Sequence, residues 1–254
     1  MSAQSNSADW EFIWQNMSEG MARNPGRDYR FNQIIKSIPN LKDLKILDFG
    51  CGTGNLLSLL MERFPQHKFV GADTSLEGLE KTLELNPLLQ IVQIKLDNDT
   101  PTIELPMESF NLIICSEVLE HIDNDIETLI LLYKLMAPGG KLICTVPAGP
   151  MSYFDKFIGH HRHYTRNSLR LSLEASGFSD VTVLRSGFPA INILRIFTIL
   201  SGRKLTEKIQ EPNYGDTGFS HRLITILRSL FRYSFDDNLL GWQLVSSSIK
   251  AEFK

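Results

Sequence analysis

Between Ile46 and Asn55 the chain reads Ile-Leu-Asp-Phe-Gly-Cys-Gly-Thr-Gly-Asn. The apolar run Lys45 to Phe49 has the composition of a buried strand, and Asp48 stands near its end. Gly50, Gly52 and Gly54 then alternate with Cys51 and Thr53, and a helix-forming run follows from Leu56 to Phe64. Glycine lets a backbone turn tightly and approach a ligand without interference from a Cβ. A strand, a glycine turn and a helix in this order aim the free N–H groups of a helix start at whatever lies above the turn.

Two ligand classes fit this turn poorly. A dinucleotide-binding turn spaces its glycines G-x-G-x-x-G and seats pyrophosphate on the helix N-terminus. Here the spacing is Gly50-x-Gly52-x-Gly54, and the carboxylate of Asp48 would repel a pyrophosphate. A P-loop needs Lys-Ser or Lys-Thr after the glycines, and none follows. An acid beside the glycines suits a cationic ligand instead.

The downstream pattern alternates strands and helices. Lys68 to Ala72 reads as a second strand ending in Asp73, and Ile91 to Lys95 as a third. Asn111 to Cys115 reads as a fourth strand, followed by Ser116 and a helix from about Asp123 to Met136. Pro138-Gly139-Gly140 should stop that helix, and Lys141 to Val146 is the fifth strand. Val181 to Leu184 is the sixth, and Trp242 to Ala251 should enter last and antiparallel. Such alternation implies an α/β fold with a mostly parallel, doubly wound sheet, whose ligands sit at the carboxyl ends of the strands. Asp48, Asp73, Asp97 and Ser116 are all expected there.

The glycine loop with its acid, and the acid closing the second strand, resemble class I S-adenosylmethionine-dependent methyltransferases of the small-molecule type. The resemblance is good over about residues 45–186 and looser at the last strand. It implies a Rossmann-like sheet and S-adenosylmethionine as the cofactor. It also implies a cofactor site made of Asp48, Gly50, Cys51, Gly52, Gly54, Asp73, Thr74, Asp97, Asn98 and Ser116. Asp48 and the glycines would face the methionine moiety, Asp73 the ribose, and Asp97-Asn98 the adenine. The alternative for Asp73 is a helix cap, and Asp97 to Pro101 is also ordinary turn chemistry. A dinucleotide-binding protein ranks last.

The two flanks should choose the acceptor. Residues 1–40 carry Trp10, Phe12, Ile13, Trp14 and Met17 on a helix broken at Asn24-Pro25-Gly26, after which Tyr29 to Ile38 resumes. This segment reads either as a lid over the cofactor or as a helix packed on the sheet edge. Tyr29 and Arg30 are its candidates for contacts with cofactor or substrate. Residues 41–186 form the cofactor-binding core, 187–240 a helical cap or insertion, and 241–254 the last strand. Within the insertion, Phe219 to Phe235 sets Leu223, Ile224, Leu227, Leu230 and Phe231 on one helical face and His221, Arg228 and Arg232 on the other. A cap over the protein's own core or substrate comes first for this helix, and weak peripheral membrane contact or a lipid-like substrate second.

Composition narrows the class further. The 254 residues are 43% hydrophobic, enough for one sizeable core. The start is polar, with no secretory leader expected, and no apolar run approaches a membrane span. The three cysteines, Cys51, Cys115 and Cys144, show no metal spacing, which fits a reducing, cytoplasmic compartment. Residues 151–254 hold 14 Lys+Arg against 9 Asp+Glu, leaving 12 against 20 for residues 1–150; the halves are +5 and −8. The net charge of −3 argues against a nucleic-acid binder.

A small-molecule acceptor methylated at a hydroxyl needs a base to take its proton. His121, just after the fourth strand, is the first candidate for that catalytic role. His160 is the second, from the run Gly159-His160-His161-Arg162-His163-Tyr164-Thr165, which resembles a subgroup of small-molecule methyltransferases. His161 and His163 read as structural, and Thr165 as the N-cap of a helix from Arg166 to Ser176. Glu117, Glu120 and His121 with a histidine from 160–163 also resemble the metal site of small-RNA 2′-O-methyltransferases, and ubiquinone-pathway O-methyltransferases carry a similar run. The same run is common in metal-free members of the class, so a divalent metal is not favoured and no metal ligand is assigned. The alternatives kept are a metal-assisted RNA 2′-O-methyltransferase and a non-catalytic S-adenosylmethionine-binding protein.

Overall fold

The computed structural model describes residues 8–22, 24–97, 100–209, 229–231 and 233–252. Two helices open it, α1 (Trp10–Ala22) and α2 (Pro25–Ser37). Asn24 caps α2, its Oδ1 accepting from Gly26 N, and Pro25 takes the first helical position, where a missing N–H costs nothing. The second helix therefore starts at Pro25 rather than at Tyr29.

The main sheet has seven strands: β1 (Lys45–Phe49), β2 (Lys68–Asp73), β3 (Gln90–Gln93), β6 (Phe110–Ser116), β7 (Met136–Pro147), β8 (Ser179–Ser186) and β9 (Gln243–Ile249). Their order is β3-β2-β1-β6-β7-β9-β8, and only β9 runs antiparallel to its neighbours. The doubly wound sheet with an antiparallel last strand is as expected. The central strands are buried on both faces and are near-continuous apolar runs for that reason. Successive side chains alternate between two cores. Leu47, Phe49, Ile113, Cys115, Leu142 and Cys144 face the core closed by α5 (Asp125–Leu135) and α7 (Arg166–Ala175). Ile46, Leu112, Ile114 and Ile143 face the core closed by Ile34 of α2 and by Leu56 and Leu60 of α3 (Asn55–Arg63).

Two boundaries differ from the sequence expectation. The third strand, expected over Ile91–Lys95, splits. Ile94 N donates to Asp73 O at the end of β2, and beyond that point the sheet offers no partner. The chain turns off into β4 (Lys95–Asp97), which pairs antiparallel with β5 (Thr100–Thr102). Asp97 therefore lies on a separate hairpin, exposed, and not at a strand end of the main sheet. The helix expected from Asp123 is preceded by a 3₁₀ turn, Leu119–His121, and starts at Asp125 under an Asn124 cap. It ends at Leu135, and β7 begins at once through Met136, with Pro138 to Gly140 inside the strand.

The remaining helices are α4 (Leu76–Leu85), α6 (Tyr153–Phe157) and α8 (Ala190–Ile209). Thr165 caps α7 through a reciprocal box with Ser168, as its sequence position suggests. Of the expected amphipathic helix, Leu230 and Phe231 are described, and Phe231 packs 5.4 Å from the Tyr29 ring; His221, Leu223, Ile224, Leu227, Arg228 and Arg232 lie outside the described residues. Among the described residues no helix is long and apolar enough to cross a membrane.

Candidate active site

The glycine loop leaves β1 and passes under the end of β2. Gly50 and Cys51 both donate their N–H to Ala72 O, at 2.7 and 2.9 Å. Gly50, Gly52 and Gly54 have φ of 80°, 54° and 72°, the left-handed region in which a side chain is strained. The space is closed as well: a Cβ on Gly54 would lie 2.8 Å from Thr82 Oγ1. Thr82 Oγ1 in turn donates to Gly52 O at 2.9 Å, tying the loop to α4.

Two acids face this loop. Asp73 is not the cap of α4. Ser75 fills that position, its Oγ accepting from Gly78 N at 3.0 Å. Asp73 instead accepts from Gly52 N at 2.7 Å and from Ser75 N at 3.0 Å, with the Thr74 backbone also bearing on it, so its carboxyl is held against the loop. Asp48 is buried, and burial together with the nearby Asp73 pushes its pKa up to about 7. Asp73 is also raised, mainly by burial, against the pull of its N–H donors. Two neighbouring carboxyls in a dry site resist ionisation, and a cationic ligand reverses that.

Helix α1 lies across the loop. Glu11 reaches the start of α4, accepting from Ser75 Oγ (2.8 Å), Leu76 N (2.8 Å) and Glu77 N (2.9 Å). Trp14 packs on Gly52 and Gly78, and Lys81 Nζ donates to Trp14 O at 2.6 Å. Trp10 stacks on Trp14 with centroids 5.6 Å apart and meets the His121 ring edge-on at 4.7 Å. One aromatic row thus runs from the glycine loop to the histidines.

The histidines form a cluster. His121, in the 3₁₀ turn after β6, meets His160 at 4.5 Å with rings at 89°, and His160 meets His163 at 5.2 Å. Burial pulls His121 down to about 4, and burial with His121 alongside pulls His160 far down, so both are neutral at pH 7. His160 Nδ1 is 3.0 Å from His163 Nε2, and His163 Nδ1 is 3.0 Å from Gly149 O. Glu120 is fully buried, neither carboxyl oxygen has a hydrogen-bond partner, and burial with the charge of Glu117 raises its pKa well above the carboxylate range. One ligand atom each from Glu120, His121 and His160 lies within 4.8 Å of the others, as do atoms of Asp155, His160 and His163. In the second group Asp155 is already committed, to Arg195 at 2.7 Å and to Ser152 N at 2.6 Å. His161 belongs to neither group: its Nδ1 pairs with Asp123 at 2.8 Å.

Glu117 sits at the head of β6 with φ of 57°, a conformation costing about 1–3 kcal/mol in a residue with a Cβ. Its Oε1 accepts from Thr145 Oγ1 (3.1 Å) and Gln243 Nε2 (2.9 Å), and Arg30 Nη1 stands 3.7 Å from Oε2. Ser116 Oγ shares a 2.8 Å hydrogen bond with Thr145 Oγ1.

Among the residues expected at the site, Asp48, Gly50, Cys51, Gly52, Gly54 and Asp73 come together at the loop, while Ser116, His121 and His160 line the β6 side. Thr74 follows β2, and its carbonyl accepts from Gln93 Nε2. Asp97 stands on the hairpin, and Asn98 lies outside the described residues. Tyr29 turns elsewhere: its hydroxyl donates to Phe235 O and accepts from Gly187 N. Glu11 and Gln243 were not expected, and Glu120 was named only through the resemblance to a metal site. Trp10 and Trp14 carried a signal, two indoles one helical turn apart, without saying which surface they would cover.

A family model described as a methyltransferase domain matches residues 22–183. Curated relatives include the trans-aconitate 2-methyltransferases of Rhodopseudomonas palustris (strain BisB18), 26% identical over 140 residues (55% of this chain, 51% of that one), and of Azoarcus sp. (strain BH72), 30% identical over 144 residues (57% and 49%). The chain spans about half the length of these relatives. Solved structures of similar fold include Haemonchus contortus phosphoethanolamine N-methyltransferase 2 in complex with S-adenosyl-L-methionine, with a TM-score of 0.58 and 18% identity (88% of this chain, 52% of that one). Another is a methyltransferase from Thermotoga maritima described as a possible histamine N-methyltransferase, with a TM-score of 0.62 and 13% identity (95% and 99%). At these identities the likeness to solved structures is one of fold, and it agrees with the sheet order and the glycine turn. The chain belongs to the methyltransferase domain family, class I, whose methyl donor is S-adenosylmethionine.

Proposed function

We propose that this protein moves the methyl group of S-adenosylmethionine to a hydroxyl of a small molecule, with a neutral histidine of the His121–His160 pair accepting the proton. The observation that carries the reading is that pair: two half-buried, uncharged imidazoles in edge contact with each other, of which His121 also meets Trp10, whose partner Trp14 lies on the glycine loop. In this reading Asp48 and the loop from Gly50 to Gly54 hold the methionine end, Asp73 and Thr74 the ribose, Asp97 and Asn98 the adenine, and Ser116 the β6 side. Helix α1 serves as the lid. An acceptor oxygen attacks the methyl carbon in line, the carbon–sulfur bond breaks, its electron pair stays on sulfur as the thioether forms, and the hydroxyl proton goes to imidazole nitrogen. Alignment supplies most of the rate, and the base adds to it.

The names of the relatives offer other acceptors, a tricarboxylate and a primary amine. A carboxylate is already ionised and needs no base, so a neutral histidine pair would be idle on it. The exposed apolar side chains Ile196, Phe197 and Leu200 on α8 favour an acceptor with a hydrophobic part. The test is transfer from methyl-labelled S-adenosylmethionine to a panel of catechol, trans-aconitate and phosphoethanolamine. Label on the phenolic oxygen supports the reading; label only on carboxylate or nitrogen overturns it.

A further inference from the structure

The hydrogen bonds among His160, His163 and Gly149 have only one consistent direction. Gly149 O is a carbonyl and can only accept, so the proton of that 3.0 Å bond sits on His163 Nδ1. Asp155, 3.8 Å from His163 Nε2, is the nearest negative charge, but it is neutralised by Arg195 at 2.7 and 3.3 Å and accepts from Ser152 N. Glu117, the other acid that bears on His163, has Arg30 3.7 Å away, so no unpaired carboxylate stands there to hold an imidazolium, and the His163 side chain is only 5% exposed. A neutral His163 with its proton on Nδ1 has a bare Nε2. The 3.0 Å bond to His160 is then donated by His160 Nδ1–H, which leaves His160 Nε2 bare in turn.

We propose that His163 is a positioning residue that fixes the tautomer of His160, so that the reaction's proton acceptor is His160 Nε2 rather than a nitrogen of His121. This rests on the reading of the histidine pair as the base. In His121 the Nδ1 atom is buried without a hydrogen-bond partner, and the ring's polar contacts are with the backbone of Gly159 and Ile158 rather than with a second imidazole. The orientation of His160 comes from a backbone carbonyl, passed through one imidazole, and a carbonyl cannot change its role. Metal-bound histidines are oriented in a similar way by a partner on their second nitrogen.

The test is the tautomeric state of His160, read from long-range ¹H–¹⁵N correlations in histidine-labelled protein without donor or acceptor. The expected result is a neutral ring protonated at Nδ1 in the wild type. It should persist in His163→Gln, whose amide N–H₂ can donate to Gly149 O while its Oε1 accepts from His160. In His163→Leu the Nδ1–H form should give way to a mixture or to the Nε2–H form. A wild-type ring protonated at Nε2 overturns the proposal, and so does a His163→Leu spectrum identical to wild type. If His163→Leu does not fold, the wild-type and His163→Gln spectra decide alone. The spectra need no methyl transfer, so a protein that methylates nothing would refute the functional reading while leaving the tautomer result to stand or fall separately.

Discussion

Trp14 lies on Gly52 so closely that a Cβ at position 52 would sit 2.7 Å from Trp14 Cζ2. The contact links the helix before the sheet to the loop after its first strand. Gly52→Ala meets both that indole and a φ of 54°, so about 1–3 kcal/mol of stability should be lost, together with donor affinity. Thermal melts and calorimetric titration with S-adenosylhomocysteine check this. Trp14→Ala should instead keep the loop and speed donor association and dissociation together in stopped-flow fluorescence of the remaining indoles; unchanged rates would refute the lid.

The pair Asp48 and Asp73 sets a pH dependence with a definite sign. Asp48 is raised from 3.8 to about 7 in the folded protein, so its contribution to stability is full below about pH 4 and is lost as pH rises through about 7. His121 has the opposite sign: its folded value of about 4 lies below the unfolded 6.5, so its contribution is present above pH 6.5 and lost as pH falls through 4. Between about pH 4 and 6.5 the two slopes are opposite and nearly cancel, so these two groups together should leave the melting temperature of the ligand-free protein almost flat across that window. A cationic donor favours ionised Asp48, so the melting shift caused by S-adenosylmethionine should be larger at pH 8 than at pH 6. An equal shift at both would remove Asp48 from the methionine site.

Kinetics should separate the histidines if an acceptor hydroxyl is found. His160→Ala should lower kcat by about 10²-fold or more with donor affinity unchanged. His163→Gln should stay near wild type, and His121→Ala should fall less than His160→Ala. A larger loss in His121→Ala would return the base to position 121.

Glu120 has no hydrogen-bond partner on either oxygen, and burial with the charge of Glu117 raises its pKa well above the carboxylate range, which favours the neutral acid. Glu120→Gln replaces that acid by a neutral group of the same shape. Denaturant unfolding should place the variant within about 1 kcal/mol of wild type, and EDTA should leave turnover unchanged. A large loss with the amide, or inactivation by EDTA, would mean that the carboxylate is ionised and held by a cation.

Much of this was legible because the central sheet is governed by local pattern. Runs such as Leu112 to Cys115 bury both faces and can be read as parallel strands, and the alternating glycines mark the turn without reference to anything distant. The Thr165 helix start was readable for the same reason, whereas Asn24-Pro25, read as a break, is the capped start of α2. Asp97 was misplaced because the end of a strand depends on where its neighbour stops, and β2 stops at Asp73. Gln243 and Glu11 were invisible, since their partners are Glu117, 126 residues away, and Ser75, 64 residues away. The fate of Glu120 was hidden too: a carboxyl in a polar-looking run, Glu-Val-Leu-Glu-His, is solvated on most helices and buried in this turn.

The antiparallel β9 begins at Gln243, and Gln243 touches Glu117 at the head of β6. The chain that follows β8 therefore rejoins the sheet beside Glu117, on the side to which the proposed function assigns the acceptor. Remodelling that segment can retune which molecules are accepted while the β1–β2 side, with its loop and two acids, is left untouched. In the proposed reading, donor binding and acceptor choice would then be housed on opposite sides of the sheet's centre.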